Sequence, residues 1–259
     1  MKNTKSLLSL LATGTVLFMA SCQSQKSEVT GWKYNDPTWG GIQKWDYEGQ
    51  ETGPGLKLVE GGTFTMGSTE QDVTYEHDNI ERRVTVSSFY MDETEVSNIH
   101  YLEYLKWLMR VYVDYPEVHN KALPDTNCWR DRLAFHEPYV KYYLRHPSYQ
   151  NYPVVGVSWI QATAFCDWRT DRVNEMIMIR EKIQSKEYIA QQINEDNFNS
   201  EAYLAGQYDG LVDRDLRDIS PGGTTRKVQM EDGILLPEYR LPTEAEWEFA
   251  AYANIGNSE

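Results

Sequence analysis

The chain has 259 residues, 41% of them hydrophobic and 13% aromatic, so it is long enough to bury a hydrophobic core. Asp and Glu number 39 against 25 Lys and Arg, which gives a formal net charge of -14 at pH 7. Such acidity disfavours nucleic acid and anionic lipid surfaces as partners, because their phosphates repel a negatively charged protein.

Residues 1–21 have the pattern of an export signal. Two lysines stand near the start, and a mostly apolar stretch runs from Leu7 to Ala20. That stretch is too short for a comfortable membrane span. The end of this stretch and the two residues after it, Met19-Ala-Ser-Cys22, resemble the lipobox of bacterial lipoproteins. In a lipobox the cysteine becomes the lipidated first residue of the mature protein. We therefore predict lipidation of Cys22; an ordinary secretory signal followed by an incidental cysteine is the alternative.

A lipidated Cys22 carries several acyl chains, and two or more chains anchor a protein stably. No later stretch offers about 18 consecutive apolar residues, so we expect the mature protein to sit on a membrane without spanning it. No aspartate occupies the second mature position, Gln23. By resemblance to lipoprotein sorting rules, this indicates delivery to the outer membrane, and we expect the protein to face the periplasm.

Residues 22–55 are interpreted as the lipidated N-terminus and a tether. Within this segment, the stretch from Gly31 to Gly41 places turn-forming residues beside aromatic ones. That composition favours an ordered loop over a free linker, so the tether is expected to wrap onto the following domain.

Residues 56–259 are expected to form one α+β domain of short, mostly antiparallel strands, capped helices and much irregular structure. Apolar and polar residues alternate from Leu56 to Gly67 around Gly61-Gly62, which predicts a β-hairpin. The next strand is predicted from Arg83 to Tyr90. The acidic stretch from Glu70 to Glu81 matches no dense metal-ligand pattern and is interpreted as a solvated loop.

Three helix starts are marked by polar capping residues. Ser97 precedes a stretch whose apolar residues recur at helical spacing. Ser158 with Gln161, and Thr243 with Glu246, have the capping-box spacing, in which each side chain satisfies a backbone N–H of the other residue. These pairs predict two sharply defined helix N-termini.

Cys128 and Cys166 are the other two cysteines. An oxidising compartment would permit a disulfide between them, and two unpaired structural thiols are an equally open interpretation. None of the five histidines pairs with another at the spacing of a helical metal site, and no glycine-rich phosphate loop is present. We therefore predict no metal and no cofactor.

Four further stretches carry a family resemblance. They are Gly61–Gly67, Phe89–Asn98, Pro153–Trp159 and Arg240–Ala251. Together and in this order they resemble the signatures of the formylglycine-generating-enzyme, or sulfatase-modifying-factor, superfamily. The resemblance implies a fold related to C-type-lectin-like domains, extending from residue 56 to the end of the chain.

In the enzymes of this superfamily, a pair of reactive cysteines and calcium ligands follow the Arg240-like helix. Neither Cys128 nor Cys166 matches those positions, so the resemblance implies no catalytic residue in this chain and a missing C-terminal part of the domain. It also marks residues 169–239 as an insertion. Helical patterning at Val173–Ile183 and Glu187–Ile193 suggests that the insertion is folded and makes specific contacts, and a decorative loop is the alternative.

A narrower resemblance suggests a function. Leu123–Arg132 and Glu137–Pro147 resemble the GldJ and GldK (PorK) families of gliding-motility lipoproteins, and Gly31–Pro37 and Trp168–Glu175 look closer to the J type. The resemblance implies a non-catalytic outer-membrane lipoprotein that is a structural component of the gliding and type IX secretion machinery, with other subunits, such as a GldK/GldN-like ring, as partners.

Two alternatives stay open at this point. The first is a formylglycine-generating, cysteine-dependent oxidase that acts on exported proteins. The second is a surface module that binds glycans or peptides, an idea that rests on the fold alone.

Overall fold

The structure is a computed structural model that describes residues 25–44, 49–67, 80–207, 212 and 214–252. The predicted signal peptide, Cys22 and nearly all of the predicted acidic loop lie outside the described residues. The chain forms two compact units. One comprises Met1–Glu48 and Asp215–Val228, and the other comprises Gly49–Arg214 and Gln229–Glu259.

Four short strands of the larger unit form two antiparallel pairs. Strand β1 (Leu56–Val59) pairs with β4 (Phe89–Asp92), and β2 (Gly62–Met66) pairs with β3 (Arg82–Val86). The register is continuous across the two pairs, because Val59 faces Phe89 and Gly62 faces Val86.

The predicted hairpin around Gly61-Gly62 is therefore wrong, since β1 and β2 do not pair with each other. They follow one another along one side of a two-stranded ribbon, and β3 and β4 form its other side. We call this the strand ribbon. Gly61 donates its N–H to the Ser88 hydroxyl at 2.9 Å. A Cβ on Gly61 would lie only 2.5 Å from the Val86 carbonyl oxygen. Glycine is thus needed here for a close approach of two backbones and not for a turn.

Six α-helices complete the described part of the chain. They are α1 (Asn98–Val111), α2 (Pro116–Ala122), α3 (Glu137–Tyr142), α4 (Trp159–Arg180), α5 (Ser200–Leu204) and α6 (Glu244–Ala251). The helices and the small antiparallel sheets give an α+β fold, as predicted.

The predicted capping boxes are confirmed. Ser158 Oγ accepts from the Gln161 N–H at 3.3 Å, and Gln161 Oε1 accepts from the Ser158 N–H at 2.8 Å. Thr243 and Glu246 make the same exchange at 3.3 and 2.8 Å. Ser97 occupies the cap position of α1, but its buried hydroxyl makes no capping hydrogen bond.

Helix α4 continues from the predicted core helix into the predicted insertion, so the patterned stretch after Val173 is the second half of one 22-residue helix. The patterned stretch Glu187–Ile193 forms a short 3-10 helix, Lys186–Ala190, instead of an α-helix. The insertion also supplies fully buried side chains, including Phe198, Tyr203 and Leu235. Residues 169–214 and 229–239 of the insertion thus belong to the larger unit and contribute to its packing, whereas residues 215–228 belong to the smaller unit.

Two hydrophobic clusters hold the rest of the larger unit together. In the first, Tyr101 of α1 stacks on Phe165 of α4, with ring centroids 5.7 Å apart. In the second, Phe249 of α6 packs against Phe64 of β2, with ring centroids 5.3 Å apart. Helix α6 is thus fixed on the strand ribbon by its apolar face.

In the smaller unit, β5 (Leu216–Arg217) pairs with β6 (Thr225–Arg226), and a 3-10 helix spans Pro37–Trp39. Asp36 caps that helix by accepting a hydrogen bond from the Thr38 N–H at 2.9 Å. This ordered segment agrees with the turn chemistry predicted for Gly31–Gly41. None of the helices that the structure describes is long and apolar enough to cross a membrane.

Candidate functional site

Two carboxylates of the Arg240–Ala251 segment, those of Glu246 and Glu248, are engaged in structural bonds. Arg240 donates two hydrogen bonds to Glu246, at 2.8 and 2.7 Å, and Thr243 donates its N–H and hydroxyl to the same carboxylate. The Arg240 hydrogen bonds, with those of Thr243, lower the pKa of Glu246 to about 2. Glu248 accepts the Gly67 N–H at 2.8 Å and so ties α6 to the end of β2. These bonds cap the N-terminus of α6 and attach the helix to β2, so both carboxylates have structural roles.

A second set of contacts joins four segments around Arg169. Its guanidinium donates two hydrogen bonds to Asp92, at 2.6 and 2.8 Å, and a third to the Pro54 carbonyl at 2.8 Å. The same guanidinium lies 4.3 Å from the centroid of the Tyr239 ring. We call this the Arg169 junction. It connects the end of β4, the entry to β1, helix α4 and the residue before Arg240.

Neither described cysteine is an activated nucleophile. Burial raises the pKa of Cys166, on α4, to about 11. Cys128 is exposed, and partial desolvation and the nearby Asp125 carboxylate raise the pKa of its thiol. Both are free thiols, so of the two interpretations of this pair the unpaired one is observed. A raised pKa keeps a thiol protonated at neutral pH, and only the thiolate is strongly nucleophilic.

Buried polar side chains of α4 bind the part of the insertion that follows this helix. Arg172 forms an ion pair with Glu175 at 2.9 Å and donates to Gln192 Oε1 at 2.9 Å and to the Phe198 carbonyl at 2.6 Å. Its guanidinium also lies 4.6 Å from the centroid of the Trp107 ring. Burial raises the pKa of Glu175, partly offset by Arg172 and Gln192. We call this the Arg172 network.

Asn174 extends this attachment on the same helix. Its amide nitrogen donates to Ser200 Oγ and to the Leu236 carbonyl, each at 3.2 Å, and its amide oxygen accepts the Leu236 N–H at 2.8 Å. Asn174 thus pairs both its donor and its acceptor, as a buried amide requires. One α4 residue thereby positions two distant parts of the insertion.

Aromatic side chains surround α3, between Leu123 and Pro147. Those of Tyr139 and Tyr142 are exposed and form what we call the aromatic surface, whereas Tyr143 is buried. The Trp129 ring lies 4.5 Å from that of Tyr143 and 5.4 Å from that of Tyr139, centroid to centroid. The preceding loop exposes 94% of Leu133 and 81% of Phe135. These two apolar residues were not predicted as functional, although their position among charged residues, between Arg132 and His136, is a signal in the sequence.

Cys22 lies outside the described residues, as do the carboxylates and the histidine of the acidic loop from Asp72 to Asp78. Within the described ranges, no group of three or more His, Cys, Asp or Glu side chains is placed to hold a metal ion. An open cleft of about 470 Å³ in the smaller unit is lined by residues that include Lys33, Tyr34 and Asp36. The Asp36 carboxylate is bonded to Thr38, which lowers its pKa.

The profile of the sulfatase-modifying factor enzyme 1-like domain matches residues 43–258. The chain belongs to this family. It is also similar to the formylglycine-generating enzyme of Mus musculus, with 27% identity over 134 residues. That match covers 44% of this chain and 36% of the mouse enzyme, so the chain spans about a third of the length of this relative.

The matched residues include the four strands of the larger unit, the Arg169 junction and α6. Glu248 joins two of the segments that carried the resemblance, through Gly67, and Asp92 attaches a third to Arg169. The family assignment therefore identifies the fold of the chain, and a fold by itself does not determine an activity.

Proposed function

We propose that this protein is a non-catalytic lipoprotein of the outer membrane, facing the periplasm, and a structural component of the gliding-motility and type IX secretion machinery. The raised pKa values of the two described thiols, Cys128 and Cys166, support a structural role for these two residues. The proposal as a whole is carried by the two sequence resemblances that follow. The lipobox pattern at Cys22 supports the anchor. The resemblance of the stretch from Leu123 to Pro147 supports the role in the gliding and secretion machinery. Gly31–Pro37 and Trp168–Glu175 favour the J type.

In this role the protein acts by holding other proteins at the membrane. The acyl chains on Cys22 fix the chain to the bilayer. The packed insertion and the aromatic surface around α3 supply the contact area, because tyrosine, tryptophan and arginine are enriched in protein interfaces. The partners are other machinery subunits, such as a GldK/GldN-like ring.

The anchor is tested by Cys22→Ala in the native cell. We expect the variant to move from the membrane fraction to the soluble fraction, and Cys128→Ala to stay with the membranes as the control. Unchanged fractionation of the Cys22 variant would disprove the anchor. The machinery role is tested by cross-linking mass spectrometry of the lipidated protein, and an absence of cross-links to any secretion or gliding subunit would count against it.

The second candidate function is a formylglycine-generating oxidase, which the similarity to the mouse enzyme favours. It is tested by incubating the protein with a cysteine-containing peptide and assaying for aldehyde formation. We expect no aldehyde. Aldehyde formation that persists in a Cys128→Ala, Cys166→Ala double variant would also show that the activity does not use the described thiols.

A further inference from the structure

The loop of residues 130–135 is held rigidly at its base and projects its tip into solvent. His136 Nδ1 lies 3.0 Å from the Trp129 carbonyl oxygen, and Arg130 forms an ion pair with Glu137 at 3.0 Å. At the tip, Asp131 Oδ1 accepts the Leu133 N–H at 3.1 Å, which fixes a tight turn. These bonds define the shape of the loop, and the side chains of Leu133 and Phe135 extend from it into solvent.

The two apolar side chains of this loop face water almost completely. Leu133 is 94% exposed and Phe135 is 81% exposed, and neither belongs to a core cluster of the larger unit. Tyr142, on α3, is also exposed, at 57%. Exposed apolar side chains on a rigid projection are typical of a surface that is covered when the protein is in place.

The segment that carries this loop has a net charge opposite in sign to that of the whole chain. The segment from Trp129 to His146 contains three arginines and one lysine against one aspartate and one glutamate, whereas the chain has 25 basic and 39 acidic residues. Arg130 is paired with Glu137. Arg132, Lys141 and Arg145 have no ion-pair partner among the residues that the structure describes.

We propose that the 130–135 loop inserts into the headgroup region of an anionic phospholipid bilayer. Leu133 and Phe135 enter between the lipids, and Arg132, Lys141 and Arg145 contact the lipid phosphates. Basic residues beside leucine, phenylalanine and tyrosine are the composition of interfacial membrane-binding segments. A fluid bilayer accepts single protruding side chains without a preformed socket.

The acidity of the rest of the chain opposes this contact only at short range. Charges separated by more than about 10 Å are largely screened at 0.1 M salt, so the basic residues of this segment provide the attraction when the loop is against the bilayer. The inference rests on the proposed function only in that the lipid on Cys22 brings the domain to a membrane. The loop then determines which face of the domain meets it.

Vesicle sedimentation tests the loop separately from the lipid anchor. The probe is a vesicle of phosphatidylethanolamine and phosphatidylglycerol, and the protein is the mature chain with Cys22→Ser, made without the signal peptide. We expect this protein to bind, and Leu133→Asp with Phe135→Asp to lower the partition coefficient about tenfold or more. Because both side chains are exposed, circular dichroism should show an unchanged fold.

The matched control is Val113→Asp with Ile193→Asp, which adds the same charge at exposed apolar residues elsewhere. We expect the control to bind like the parent, and binding of the parent to weaken as salt is raised. Absence of binding by the parent, or equal binding by the loop variant, overturns the inference while leaving the Cys22 fractionation result intact. If the loop variant instead loses cross-links to another subunit without any vesicle binding, a protein covers the loop and the lipid assignment is wrong.

Discussion

Asp92 and Arg169 form a two-bond ion pair across 77 residues of sequence, with Nη1–Oδ2 and Nη2–Oδ1 distances of 2.6 and 2.8 Å. The two side chains are 31% and 19% exposed, so water screens their attraction only in part. Arg169 also donates to Pro54 and covers the Tyr239 ring. The pair therefore connects one family signature segment to the first residue of the insertion.

Replacing Asp92 should destabilise the larger unit clearly. Asp92→Ala leaves the largely covered Arg169 guanidinium without its anion, and we expect a loss of about 2 kcal/mol in the free energy of unfolding. Urea denaturation measures it. Lys57→Ala is the control, because its 3.9 Å pair with Glu93 is exposed and should contribute less than about 0.5 kcal/mol. Equal effects of the two substitutions would contradict the importance of the Arg169 junction.

Gly156 should tolerate alanine much less well than Gly206. Both have positive φ, +82° and +72°, which costs an alanine about 1 kcal/mol. A Cβ on Gly156 would also lie 2.2 Å from the Asp125 carbonyl oxygen, whereas a Cβ on Gly206 meets nothing within 4 Å. We expect Gly156→Ala to cost about 3 kcal/mol in total, since overpacking adds to the backbone strain. Thermal or urea unfolding checks the difference, and equal losses would contradict the close approach.

Glu246 should make stability depend on pH in the acid range. Its pKa is lowered to about 2 in the folded protein, from an ordinary value of 4.5. The stabilisation is therefore fully present above pH 4.5 and is lost as the pH falls towards 2. Glu246→Gln should remove this part of the pH dependence. Urea unfolding of both proteins between pH 2.5 and about 6 tests this, and a difference between them that stays constant with pH would contradict it.

The capping boxes could be predicted from sequence because each is encoded within four residues. Ser158 with Gln161, and Thr243 with Glu246, need only the first turn of their own helix. The hairpin prediction failed for the opposite reason. The alternation of apolar and polar residues around Gly61-Gly62 fits any antiparallel partner strand. In the structure, β1 pairs with β4 and β2 pairs with β3, both of which are more distant in sequence.

The contacts of the candidate sites could not be predicted, because they join distant segments. Nothing in the local sequence of Asp92 selects Arg169, and nothing near Gly67 selects Glu248 as its hydrogen-bond acceptor. The insertion was recognised through a family resemblance, but its attachment through Arg172 depends on tertiary packing. Sequence patterns report local geometry well and non-local pairing poorly.

The two described thiols should react in a fixed order. Cys128 is exposed and should be alkylated first by iodoacetamide at pH 8, at a lower rate than an unperturbed cysteine because its pKa is raised. Cys166, with a pKa of about 11, should stay unmodified until the protein unfolds. Peptide mass spectrometry after timed alkylation tests the order. A Cys128–Cys166 disulfide in the native protein, seen without reduction, would contradict both expectations.

The Arg172 network should show strong coupling between its two charges. The side chains of Arg172 and Glu175 are only 15% and 5% exposed, and Gln192 bonds to both of them. Glu175→Met removes the anion and leaves the Arg172 charge buried, so we expect a loss of about 3 kcal/mol in the free energy of unfolding. Arg172→Met should cost a similar amount, because it leaves the Glu175 carboxylate without its cation.

The double variant Arg172→Met with Glu175→Met distinguishes a coupled pair from two independent contacts. Replacing both charges by apolar side chains leaves neither charge of the pair buried without its partner, so the double variant should lose less stability than the two single variants together. Urea unfolding of the four proteins gives the coupling energy directly. Additive losses would mean that Arg172 and Glu175 stabilise α4 separately, and the insertion would then be held mainly by Asn174 and by its own buried aromatic side chains.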